Sequence, residues 1–125
     1  MKLLLDTHVL LWVLSNPRVL PPRVRAQIER PDSTVFVSTI SVWEMEIKRA
    51  LGKLDAPNDL EAQLKRHRFL ELPLHLRHVQ RLRKLPPLHR DPFDRMIVAQ
   101  ALADDLTVVT HDRDVLAYSV KSLAC

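Results

Sequence analysis

A chain of 125 residues supplies one ordinary domain, and its 46% hydrophobic and 27% charged residues argue against both a disordered segment and a membrane span. The 19 Lys and Arg against 15 Asp and Glu leave a formal charge of +4, which suits an anionic partner. With one glycine, Gly52, the sequence excludes glycine-rich phosphate loops and dinucleotide fingerprints.

The opening run from Met1 to Leu14 is mostly apolar, but Asp6 and His8 interrupt it and no small-residue cleavage pattern follows, so it reads as structure and not as an export signal. The single cysteine, Cys125, permits no intrachain disulfide, and a cytoplasmic location is expected. Short apolar runs at Leu3–Leu5, Val35–Val37, Phe69–Leu72 and Thr107–Val109 predict buried strands. Helical periodicity predicts a helix from Val42 to about Leu51, ended by Gly52, and another from Pro92 to Ala103. Pro21, Pro22, Pro57, Pro86 and Pro87 punctuate turns or helix starts. No repeat or linker divides the chain, so residues 1–125 are expected to form one domain. Strands alternating with helices imply right-handed βαβ units and a three-layer α/β/α sandwich around a central parallel sheet.

Ligands of such sheets gather beyond the carboxyl ends of the strands. Asp6 follows the first run, Glu44 lies just beyond the second, Asp112 follows the last, and Asp94 opens the helix announced by Asp91-Pro92. Convergence of these four carboxylates calls for a cation, because two like charges about 4 Å apart repel by roughly 4 kcal/mol at an effective dielectric of 20. Mg²⁺ or Mn²⁺ suits carboxylate oxygens and retains water for chemistry on a phosphodiester. Each acid also has a structural role open to it. Ser41 and Glu44 match a capping box, Asp91 and Asp112 match helix N-caps, and Asp94 suits the positive end of a helix dipole. Asp6 is hardest to explain by structure alone, since a charge after three leucines is costly to bury unpartnered.

Four segments together resemble the PIN-domain ribonucleases, specifically VapC-type toxins of type II toxin–antitoxin systems: Leu3-Leu4-Leu5-Asp6-Thr7-His8, Ser38 to Glu44, Arg90 to Ala101 and Val109-Thr110-His111-Asp112. The resemblance implies a PIN-like fold and Mg²⁺- or Mn²⁺-dependent endonucleolytic cleavage of RNA by activated water. It implies that Asp6 and Asp94 hold metal directly, that Glu44 acts directly or through water, and that Asp112 completes the ring, with Asp91 ranked behind Asp94. It also implies a cognate antitoxin and a homodimer. A PIN-like module that binds RNA or protein without catalysis is the alternative. A receiver-type phosphoacceptor at Asp6 is poorly supported, as no second acid stands beside it.

Lys65-Arg66-His67-Arg68 and the stretch His75 to Arg90, with Arg77, His78, Arg81, Arg83, Lys84 and His89, offer cations for RNA phosphates or else a solvated face. Aromatics are 5% of the chain, too few for an extended stacking platform. Trp12 and Trp43 read as core or interface residues, and His8 and His111 as turn residues near the site. His75 and His78 make a poor zinc pair without a nearby cysteine.

Overall fold

The computed structural model describes residues 1–125. Five strands, β1 (Lys2–Leu5), β2 (Thr34–Ser38), β3 (Leu70–Leu72), β4 (Thr107–Thr110) and β5 (Ser122–Ala124), form one parallel sheet in the order β3-β2-β1-β4-β5. Seven helices accompany it: α1 (Thr7–Ser15), α2 (Pro22–Glu29), α3 (Thr39–Ala50), α4 (Leu60–Arg66), α5 (Leu76–Arg81), α6 (Pro92–Asp104) and α7 (Arg113–Leu116). Side chains alternate across a strand, so Leu3 and Leu5 join one core with Val9 of α1 and Val24 of α2, while Leu4 joins a second with Ile97 of α6 and Val115 of α7. The sheet therefore has helices on both faces, as the expected sandwich requires. Strands covered on both faces become continuous apolar runs, which is why Leu3-Leu4-Leu5 and Val35-Phe36-Val37 mark β1 and β2 so plainly.

Helix α3 begins three residues before Val42. Ser38, the last residue of β2, is its N-cap and accepts from the Ile40 N–H at 3.0 Å. Ser41 and Glu44 thus lie inside the helix, and the capping box suggested by their spacing does not form. Gly52 ends α3 as expected: at φ +70 it donates to the Arg49 carbonyl at 3.0 Å, and the Lys53 N–H reaches Lys48 at 2.9 Å. Asp91 caps α6 by accepting from Phe93 N–H at 2.8 Å and Asp94 N–H at 3.3 Å, with Pro92 at the first helical position.

Much of the basic stretch from His75 to Arg90 serves the fold. Arg77 grips Asp104 with two bonds of 2.8 and 3.0 Å. His78 is fully buried; its Nδ1 accepts from the His75 N–H at 3.0 Å, so Nε2 donates to Asp104 at 2.9 Å. The Arg77 bond, aided by His78, holds the Asp104 carboxyl down at about 2. Lys65 to Arg68 lead into the amino end of β3, at the opposite end of the sheet from Asp6 and Asp112, which follow the carboxyl ends of β1 and β4. That run cannot flank the acidic residues. No helix is long and apolar enough to cross a membrane.

Candidate active site

The strand order reverses at β1: one branch of the chain builds outward through β2 and β3, the other through β4 and β5. A crevice opens at such a switch point, beyond the carboxyl ends of β1 and β4. Asp6, Glu44, Asp94 and Asp112 all line one cavity there, of about 470 Å³, and Asp91 joins them. The four predicted acids are brought together from the ends of β1 and β4 and from helices α3 and α6.

Asp6 is buried and caps α1, accepting from the Val9 N–H at 2.8 Å. Its other oxygen accepts from the Thr110 hydroxyl. Burial raises the Asp6 carboxyl above its ordinary value against the pull of these two bonds. Thr110 in turn accepts from the Asp112 N–H at 3.0 Å, so one hydroxyl fixes both acids. Glu44 is 3% exposed and fully engaged: the Thr7 hydroxyl donates at 2.6 Å and Lys48, one turn on, at 2.7 Å. The bond to Glu44 raises the Lys48 ammonium and keeps it charged.

His89 stands between the remaining acids, its Nε2 2.9 Å from both Asp94 and Asp112. The Asp91 N–H donates to Nδ1 at 3.1 Å, which leaves the Nε2 proton to face the two carboxylates. Burial opposes charge on His89, but the Asp112 bond and the neighbouring Asp94 raise it overall. Asp112 also suffers burial, yet the same imidazole and the Asp114 N–H, which donates at 2.8 Å, bring its carboxyl below the usual range. For Asp94 the same imidazole gives only partial relief. Burial first, then Asp91 and Glu44, push it up to about 7.

That value is a physical sign of what the cavity lacks. Five carboxylates share the cavity with one lysine, Lys48, and three imidazoles, His8, His89 and His111, and burial among these acids still pushes Asp94 up. Hard oxygen donors in excess of fixed positive charge match a hard divalent cation. Asp6, Asp94 and Asp112 line the cavity. His89, Asp112 and the exposed Asp114 also bring donor atoms within 4.8 Å of one another.

Several residues of the site escape a search for acids. Thr110 looks like the last residue of a strand; its position between Val109 and His111-Asp112 is the only hint of its role. Lys48 was legible as the residue four after Glu44 on one helix face. Trp12 lines the cavity and is half-buried, and His8 lies within α1 instead of in a turn. Trp43 is not core: it is 58% exposed, edge-on to Phe93 with ring centroids 5.1 Å apart.

Fold and site together define a small parallel α/β protein with a carboxylate centre at its topological switch point. The family model for the PIN domain matches residues 3–121, and the chain belongs to that family. Its fold is similar to VapBC2 from Rickettsia felis, solved bound to a DNA fragment from its promoter, with a TM-score of 0.73 and 14% identity over 100% of this chain and 99% of that one. It is also similar to DNA-bound VapBC from Salmonella typhimurium, with a TM-score of 0.72 and 20% identity over 99% and 98%. A toxin–antitoxin complex from Klebsiella pneumoniae matches with a TM-score of 0.62 and 17% identity over 97% and 95%. No curated protein matches the chain in sequence.

Proposed function

We propose that the protein is a VapC-type toxin, a metal-dependent endoribonuclease that hydrolyses RNA phosphodiester bonds with activated water. The observation that carries this reading is the convergence of Asp6, Glu44, Asp91, Asp94 and Asp112 on one cavity, where burial and the neighbouring acids raise Asp94 to about 7. Asp6, Asp94 and Asp112 would hold Mg²⁺ or Mn²⁺, with Glu44 behind them. When bound, such an ion acidifies water and offsets charge on the phosphodiester. The chain's own residues prepare the site. Thr110 and the Val9 N–H fix the two oxygens of Asp6. Lys48 and Thr7 hold Glu44 in place with one hydrogen bond each. His89 spaces Asp94 from Asp112.

A cognate antitoxin belongs to the same reading, supported by the likeness to the K. pneumoniae toxin–antitoxin complex. So does self-association. Beside the acidic cavity, an apolar cleft of about 370 Å³ is lined by Ile40, Trp43, Leu74, Leu82, Phe93 and Met96, and a second copy of the chain would cover it.

The test is cleavage of a mixed pool of structured RNAs by the purified protein with Mg²⁺, with Mn²⁺ and with EDTA, alongside Asp94→Asn. Cutting that needs metal and is lost in the variant is the expected result. RNA that binds but stays intact under every condition would leave the non-catalytic module as the correct reading.

A further inference from the structure

The lining of the acidic cavity is not all acidic. Trp12 of α1 is its one apolar lining residue, and it stands among rings. His111 lies edge-on to the indole with centroids 5.5 Å apart, and His8 is tilted against it at 6.3 Å. These rings are partly open to solvent: His8 and His111 are exposed, although His111 Nδ1 lies 3.1 Å from the Cys125 carbonyl, and only part of Trp12 is packed on the core between α1 and the sheet. An indole carries no charge for a phosphate, only a single N–H donor at its edge. What it matches is the π-face of a nucleobase, which stacks on an aromatic ring whatever its sequence identity.

We propose that Trp12, flanked by His8 and His111, stacks one nucleobase of the RNA adjacent to the phosphodiester at the acidic centre. The substrate must then present an unpaired base at that position, because a base within a duplex is already stacked on its neighbours. This inference rests on the nuclease reading. It adds a base-binding subsite within the lining of the acidic cavity.

The chain has two tryptophans, so Trp43→Phe leaves Trp12 as the sole indole reporter. Binding is measured in EDTA on an Asp94→Asn background, with a labelled six-residue oligoadenylate, the same oligomer paired to oligouridylate, and an abasic oligomer of equal length. The single strand should quench Trp12 fluorescence and bind more tightly than the other two. Trp12→Leu, which keeps apolar contact with the core, should weaken single-strand binding by about tenfold or more, as loss of one stacked base implies, and should leave abasic binding unchanged. Trp12→Phe should restore most of the affinity. Unquenched binding, equal affinity for the abasic strand, no binding at all, or a Trp12→Leu variant that binds as well as its parent overturns the subsite. Cleavage by the native protein is scored separately with Mn²⁺. If cutting persists while stacking fails, the subsite alone falls; if stacking holds and no RNA is cut, the nuclease reading falls.

Discussion

Asp94 concentrates the electrostatic tension of the molecule. In the absence of a divalent ion its folded-state value of about 7 lies above the 3.8 of an unperturbed carboxyl. The folded chain therefore binds more protons than the unfolded chain between about pH 4 and 7, and stability falls as pH rises through that window. Asp6 is shifted in the same sense. Asp104, held at about 2, acts oppositely, and its stabilisation is lost only as pH falls below about 4. Thermal melts in EDTA from pH 4 to 7 should show a steeper decline for the native protein than for Asp94→Asn; parallel curves would mean that Asp94 carries no such burden. Asp91 poses a different question, since one of its oxygens is spent on two backbone N–H groups. Asp91→Ala should cost about 1 kcal/mol through the lost cap, whereas Asp91→Asn should cost only a few tenths. Urea unfolding separates the two. In the cleavage assay Asp91→Asn should retain activity that Asp94→Asn loses, and equal loss in both would promote Asp91 to the same rank.

Elements with periodic or continuous apolar signals were legible, and those made by backbone pairing or by tertiary contact were not. Strands β1, β2 and β4 and helix α6 lie within about a residue or two of where their sequence patterns predict. Strand β5 has no apolar run: Ser122-Leu123-Ala124 is a strand because it pairs with Val108 to Thr110, and no local pattern records that. The start of α3 was misplaced because serine occurs at both 38 and 41, and only the fold decides which one meets a free helix N–H. Four acids were found because carboxylates stand out after apolar runs. The groups that orient them, Thr110 and His89, look like ordinary strand-end and loop residues until the sheet brings positions about a hundred residues apart together. Arginines at helical spacing suggested a solvated or RNA-binding face, and Asp104 was the partner that spacing could not reveal. Gly52 is the element-level position most open to test. A Cβ there meets nothing within 4 Å, so Gly52→Ala should lose about 1 kcal/mol from its positive φ alone. A chemical-denaturation midpoint that does not move would mean that α3 can end without this backbone conformation.

For the whole molecule, a cation bound by the folded state alone raises stability by mass action, by about 2.7 kcal/mol at a hundredfold excess over its dissociation constant. Millimolar Mn²⁺ or Mg²⁺ should therefore raise the melting temperature by several degrees, and this gain should vanish in Asp6→Asn. An unchanged melting temperature with either ion would count against a metal centre. Self-association is tested by sedimentation: Trp43→Glu should shift a dimer to monomer without altering the circular-dichroism spectrum. The strand order has one more consequence. Asp6 precedes its hydroxyl partner Thr110 by 104 residues, and Thr110 and its acidic neighbour Asp112 come from the end of β4 and the residues just beyond it. Central strand β1 has one open flank until β4 pairs with it. A nascent chain thus cannot assemble its acidic centre until the segment that carries Thr110 and Asp112 has emerged and β4 has paired with β1.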